Sequence, residues 1–65
     1  MNLKQYIEKN VVVIAGNGKV FEGFADEYFY ADENQSGLES IVIQTKNGRL
    51  IEFNAEDIED IKIIK

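Results

Sequence analysis

Apolar residues along this chain fall into short runs that are separated by turns containing glycine and asparagine. The runs are rich in β-branched or aromatic side chains and most are too short for helices, which indicates strands. Gly16-Asn17-Gly18 and Lys46-Asn47-Gly48 supply positive φ angles at low cost, so each predicts a tight hairpin. The pattern therefore predicts an all-β chain of five strands, near residues 11–15, 19–28, 41–43, 50–53 and 58–64.

The predicted second strand carries small residues where a regular strand would carry large ones. Gly23 and Ala25 interrupt the alternation that Val20 and Phe24 set up. A glycine inside a strand marks a bulge or a sharp bend, and a long strand bent at glycine is how a small barrel turns its corner. We expect the buried face of this strand to switch near Gly23 and the sheet to form a strongly bent barrel.

Residues 1–10 predict a short helix before the first strand. Asn2 is a suitable N-cap, and Asn10 tolerates the left-handed conformation that ends a helix. Leu3, Tyr6 and Ile7 share one face of this helix, which we expect to lie on the barrel. A second, single helical turn capped by Asn54 is expected before the last strand. We predict one domain over residues 1–65, with the helix in 1–10 and the barrel in 11–64. The first strand is expected to be buried on both faces or covered by the helix.

Composition removes several classes of chemistry. The chain has 65 residues, a formal charge of −5, and no histidine, cysteine, tryptophan or proline. Disulfides and thiolate or imidazole metal sites are excluded, so we expect no metal and no cofactor. A domain of this size is marginally stable, which leaves an aliphatic core or self-association as the source of stability.

No apolar run reaches the ~18 residues that cross a membrane, and the start of the chain lacks an apolar signal-peptide centre, so we expect a cytoplasmic protein.

The order of a short helix, five strands and a glycine-bearing second strand resembles the small SH3-like barrels, above all the Sm-like (LSm) group. Residues 11–14 and 17–24 are similar to the first Sm motif, with an apolar strand, a glycine turn, a basic residue and a glycine in strand two. Residues 58–64 are similar to the closing strand. Residues 23–43 also resemble small LSm-like proteins of Gram-positive bacteria, which implies a bacterial homo-oligomer.

The resemblance implies RNA binding, but the residues that carry it in the family are replaced. Sm proteins contact RNA through an aspartate and asparagine after strand two and an Arg-Gly-like segment before strand five. Here Glu56 and Asp57 lie where a basic residue is expected, and the spacing of Asp32 and Asn34 from Gly23 does not match. The acidic charge also opposes phosphate binding.

An aromatic run and the loop after it are the residues that we select as an interaction site. Tyr28, Phe29 and Tyr30 either complete the core or form a recognition surface, because aromatic residues are enriched at interfaces. Asp32 and Asn34 lie in the polar loop that follows. Lys46 and Arg49 share one turn, where they are either solubilising charges or RNA contacts, with Tyr28 and Tyr30 available for base stacking.

Catalysis and cation binding both have weaker support. Paired carboxylates are present, but no pocket or nucleophile accompanies them, and the serine and threonine hydroxyls have no histidine to activate them. The segment Asp32-x-Asn34-x-Ser36-Gly37 is similar to the first half of a calcium loop, whereas its twelfth position is Ile43 instead of glutamate. A solvated loop is the favoured interpretation, and weak Ca²⁺ binding is the alternative.

These observations favour a non-enzymatic interaction module that acts through a protein partner or through self-association into a dimer or ring. Strand four or five is expected to pair with a neighbouring strand, which would also hide an exposed sheet edge. An RNA-binding LSm-like regulator is the alternative hypothesis, and an acidic mimic of nucleic acid ranks below both.

Overall fold

A computed structural model describes residues 2–64 of the chain. That range contains five strands and three short 3-10 turns, which we call the N-terminal, loop and connecting turns. In chain order the elements are the N-terminal turn Leu3–Tyr6, β1 Asn10–Ala15, β2 Val20–Phe29, the loop turn Ala31–Glu33, β3 Ser40–Thr45, β4 Leu50–Asn54, the connecting turn Ala55–Asp57 and β5 Ile58–Ile64.

All five strands belong to one antiparallel sheet with the order β4-β3-β2-β1-β5. The prediction of an all-β chain of five strands is confirmed. Over residues 2–64 no ladder joins β4 to β5, so the sheet is open and closure into a complete barrel is not confirmed. The two hairpins are confirmed: Gly18 and Gly48 have φ angles of 86° and 84°.

The connection between the two edge strands requires the sheet to curl. A flat five-stranded sheet is about 19 Å across, because neighbouring strands lie about 4.8 Å apart. The connecting turn has three residues and spans at most about 14 Å, even when extended. The end of β4 and the start of β5 are therefore brought towards each other around the core.

The core lies inside this curl and takes side chains from every strand. In β1, Val11, Val13 and Ala15 point inward, whereas Val12 and Ile14 are half-buried on the outer face. The strand therefore has one fully buried face instead of two. The buried apolar residues are Leu3, Val11, Val13, Ala15, Ala25, Ile41, Ile43, Phe53, Ile58 and Ile61.

The change of face in β2 occurs three residues later than the sequence predicts. Ala25 pairs with Ile43 and Glu27 pairs with Val42, so Asp26 is the extra residue of a bulge. The expectation that the switch lies at Gly23 is wrong. Gly23 remains in regular pairing. A residue without a side chain is needed there because the backbone of β3 approaches it closely.

The predicted N-terminal helix is wrong beyond its first turn. Asn2 caps the start, since its Oδ1 accepts from the Lys4 amide at 3.2 Å, but Ile7 is already extended. Glu8 donates to the Ala25 carbonyl at 2.8 Å, and the Lys9 carbonyl accepts from the Ala25 amide at 2.9 Å. Pairing with β2 therefore replaces the second helical turn, and Asn10 begins β1 instead of ending a helix.

Two smaller expectations near the chain ends have different outcomes. Leu3 is fully buried, and Tyr6 and Ile7 pack against the core, as the shared face predicts. The predicted single turn before the last strand is present and Asn54 is its N-cap residue, but the Asn54 side chain makes no capping hydrogen bond. No helix among residues 2–64 is long and apolar enough to cross a membrane.

Candidate interaction surfaces

The outer strands β4 and β5 each present an apolar side chain to solvent. Leu50 at the start of β4 is 62% exposed, and Ile63 near the end of β5 is 50% exposed. Each strand is paired on one side only within residues 2–64. Its other side offers backbone amides and carbonyls to a further strand, which is the arrangement that strand addition requires.

The aromatic run at the end of β2 is divided between the core and the surface. Tyr28 lies opposite Ile41 and packs against the core, and Phe29 is half-buried opposite Ser40. Tyr30 follows the strand and is exposed, with its ring 5.1 Å from the Tyr28 ring in an edge-to-face arrangement. Core packing thus explains Tyr28, whereas Tyr30 remains available for recognition.

Tyr30 is held by the N-terminal turn. The Lys4 ammonium donates to the Tyr30 hydroxyl at 2.6 Å and lies 5.0 Å from the ring centre, so it sits at the hydroxyl edge instead of over the ring face. This hydrogen bond raises the pKa of Lys4 above its ordinary value. Partial burial, followed by the Glu39 carboxylate, raises the pKa of Tyr28. Glu39 also accepts from the Leu3 amide at 2.8 Å, which fastens the N-terminal turn to the sheet.

The loop residues Asp32 and Asn34 have different surroundings. Asp32 is exposed in the loop turn. Asn34 is half-buried, and its Nδ2 donates to the Leu38 carbonyl at 2.7 Å and to the Ser40 hydroxyl at 3.1 Å. Ser40, which is fully buried, in turn donates to Glu52 at 2.8 Å. The chain of hydrogen bonds from Asn34 to Glu52 orders the loop against β3 and β4. Asn34 therefore stabilises the loop, in addition to being a predicted interaction residue.

The basic residues Lys46 and Arg49 are both exposed in the β3–β4 hairpin. The turn is ordered by the Gly48 amide, which donates to the Thr45 carbonyl at 2.9 Å, and by a hydrogen bond between the Thr45 hydroxyl and Asn47. Tyr28 and Tyr30 do not lie beside these cations, because the end of β2 pairs with the start of β3, whereas the hairpin follows the end of β3. Lys46 instead shares a cleft on the outer face of the sheet with the aromatic residue Phe24.

This cleft lies along a row of side chains on the outer face of the sheet that sequence reasoning missed. The pairings place five residues side by side across the outer face, in the order Leu50, Gln44, Phe24, Asn10 and Ile64. The Phe24 ring is 37% exposed between two carboxamides, and the cleft has a volume of about 560 Å³. Part of the signal was present in the sequence, since one hairpin turn fixes Gln44 opposite Leu50 and the other fixes Asn10 opposite Phe24 once their registers are known.

The loop at residues 32–37 does not gather an acidic cluster. Over residues 2–64 there is no group of three or more histidine, cysteine, aspartate or glutamate side chains placed to hold a metal ion. The Asn34 amide faces Leu38 and Ser40, and the Ser36 hydroxyl accepts from the Leu38 amide at 3.3 Å. These contacts use the loop's side chains to shape the loop itself.

Comparison with known proteins adds no relative. No protein-family model matches the chain, and no curated protein or solved structure is significantly similar to it.

Proposed function

We propose that this chain is a non-enzymatic interaction module of the Sm-like, small-barrel type, which associates with copies of itself and with protein partners through its two open sheet edges. The observation that carries the proposal is the pair of unpaired edges, β4 and β5, each with an exposed apolar side chain. The element order of a short turn, five strands and a single turn before the last strand supports the Sm-like class.

The chemistry of the edges supports strand addition. An exposed edge with apolar side chains is a template for another strand, and proteins that stay monomeric protect such edges with charges, proline or a covering loop. This chain has no proline, and β4 carries a single charged residue, Glu52. The other edge, β5, carries Glu59, Asp60 and Lys62, so β4 is the less protected of the two. A domain of 65 residues also gains stability by burying these edges, because its own core is small.

The proposal assigns no catalysis to the chain. The one serine hydroxyl that contacts a carboxylate among the described residues is Ser40, and it is fully buried. A buried hydroxyl without a histidine partner is neither accessible to substrate nor activated for attack.

A charge-insertion experiment tests this function. Leu50→Lys and Ile63→Lys place a cation on each edge, so we expect the mass in sedimentation equilibrium to fall towards the 7.4 kDa of one chain. Val20→Lys is the matched control, because Val20 is 63% exposed but belongs to the internal strand β2. Loss of association in the control to the same extent, or none in the edge variants, would reject the edges as the interface.

RNA binding is the second candidate function, and the Phe24 cleft is the observation that favours it. An exposed ring beside a cation and carboxamides offers stacking, phosphate contact and hydrogen bonding to bases. Anisotropy titration of oligo-U and oligo-A at low salt tests it, since low salt strengthens phosphate contacts. Binding that Phe24→Ala and Lys46→Gln each weaken would support this function, and absence of binding at low salt would reject it.

A further inference from the structure

A second cleft lies at the end of the molecule where β1 ends and the connecting turn begins. It is lined by the half-buried Phe21 and by Phe53, which is 6% exposed, and their ring centres are 5.2 Å apart in an edge-to-face arrangement with an interplanar angle of 61°. Gly16 and Asn17 form one wall, and the acidic residues of the connecting turn form the other. The Gly16 amide donates to the Asp57 carbonyl at 2.9 Å, which fixes the two walls relative to each other.

The acidic wall is not neutralised by neighbouring cations. Glu56 and Asp57 are both exposed, and within residues 2–64 no lysine or arginine lies within salt-bridge distance of either carboxylate. The ion pair found in that range joins Lys62 to Asp60 at 3.8 Å. Neither carboxylate accepts a hydrogen bond from a described side chain, so both are free to pair with a ligand.

We propose that this cleft binds an arginine or lysine side chain from a basic segment of a partner protein. The half-buried Phe21 ring attracts a cation and offers apolar surface to its aliphatic stem, while the buried Phe53 holds that ring in place from the core. Two carboxylates at the rim supply the opposite charge, and a guanidinium forms paired hydrogen bonds with such groups. The net charge of −5 also favours the approach of a basic segment from solution. This site lies beside the end of edge strand β4, which contributes Phe53, and it gives the module a partner class.

The test is a titration of the ¹⁵N-labelled protein with the peptide Gly-Arg-Gly-Arg-Gly at low salt, followed by amide chemical shifts. We expect saturable shifts at Gly16, Asn17, Glu56 and Asp57, and none with the corresponding glutamate peptide. The double variant Glu56→Gln/Asp57→Asn is expected to weaken binding roughly tenfold. Phe21→Leu keeps an apolar floor but removes a ring, and is expected to weaken binding about fivefold.

A matched variant separates a specific site from general attraction to an acidic protein. Asp26→Asn/Glu27→Gln removes the same charge from exposed positions at the other end of β2. We expect this control to retain binding within about twofold, since only long-range attraction is changed. Equal weakening in both double variants, or shifts spread over all carboxylates, would overturn the proposal.

The remaining occupant to distinguish is a second copy of the chain, which carries Lys46 and Arg49 on an exposed hairpin. In one outcome, the amide shifts of the cleft change with protein concentration alone, and this change disappears in Lys46→Gln/Arg49→Gln. That result would overturn the peptide proposal and identify the second copy as the occupant. Concentration-independent shifts, together with saturable binding of the arginine peptide, would support it.

Discussion

Gly23 in β2 lies directly against the backbone of Gln44 in β3. A Cβ built at Gly23 would approach within 2.8 Å of the Gln44 carbonyl carbon and would come still closer to its oxygen, and the Ile43 side chain lies 2.8 Å away. Real Cβ atoms do not make such contacts, and the backbone of a central strand cannot move aside as a flexible side chain does. The close approach of β2 and β3 therefore depends on glycine at this position.

We predict that Gly23→Ala destabilises the fold by at least about 2 kcal/mol, because the added methyl group overpacks the sheet. Urea denaturation followed by circular dichroism measures the free energy of unfolding. Gly16→Ala is the matched control: its nearest contact would be the Asp57 carbonyl at 3.8 Å, and its φ is not positive, so we expect a change below about 1 kcal/mol. Equal stability of Gly23→Ala and the natural chain would contradict the close approach.

Glu8 has a φ angle of 64°, the one positive value outside glycine among the described residues. A side chain in this region costs roughly 1–2 kcal/mol, and Glu8 is exposed. We predict that Glu8→Gly raises the free energy of unfolding by about 0.5–1 kcal/mol, after allowance for the greater freedom of glycine in the unfolded chain. Glu8→Ala removes the same carboxylate but keeps the Cβ. A gain in Glu8→Ala as large as in Glu8→Gly would attribute the effect to charge and contradict the backbone account.

The buried hydroxyl of Ser40 links the loop to Glu52. Ser40→Ala removes the hydrogen bond to the carboxylate and the one from Asn34, so we predict a loss of about 1–2 kcal/mol in the free energy of unfolding. Ser36→Ala, at an exposed loop position, is expected to change it by less than about 0.5 kcal/mol. A double-mutant cycle with Glu52→Ala, which removes the acceptor, measures the coupling directly, and zero coupling would show that the contact contributes nothing.

The contact between Lys4 and Tyr30 gives the N-terminal turn a dependence on alkaline pH. The folded-state pKa of Lys4 is raised above 10.5 by the Tyr30 hydroxyl, and that of Tyr28 is raised above 10.0, first by partial burial. Groups whose pKa rises on folding stabilise the fold below their unfolded pKa. Their contributions are therefore complete below about pH 10 and are lost as the pH rises through the folded values.

We predict that Tyr30→Phe returns the pKa of Lys4 towards 10.5, as measured by ¹⁵N resonance of its ammonium group across an alkaline titration. Tyr6→Phe removes a different tyrosine hydroxyl and is expected to leave the Lys4 pKa unchanged. An unchanged Lys4 titration in Tyr30→Phe would show that the hydrogen bond is absent in solution.

The sequence was sufficient for those elements that local chemistry determines. Gly16-Asn17-Gly18 and Lys46-Asn47-Gly48 predict their hairpins because glycine at a positive φ is a local requirement. The prediction of an N-terminal helix failed because Glu8 and Lys9 form backbone hydrogen bonds with Ala25, a partner distant in sequence. The bulge at Asp26 is set by the register of β2 on β3, which alternation alone does not reveal.

The candidate surfaces show the same division. Exposure of Lys46 and Arg49 follows from their place in a hairpin and agrees with expectation. The ring contact between Phe21 and Phe53 and the hydrogen bonds from Asn34 to Glu52 join residues that are distant in sequence. No short motif therefore predicts them. Tyr28 and Tyr30 are two residues apart, yet the first packs on the core and the second is exposed, because the strand ends between them.

We propose that the two open sheet edges drive association of this chain. Light scattering behind a sizing column at physiological salt, repeated over a range of protein concentrations, measures the mass in solution directly. We predict a mass that is a multiple of 7.4 kDa, with two or more chains in the particle. A mass of 7.4 kDa at every concentration would contradict it.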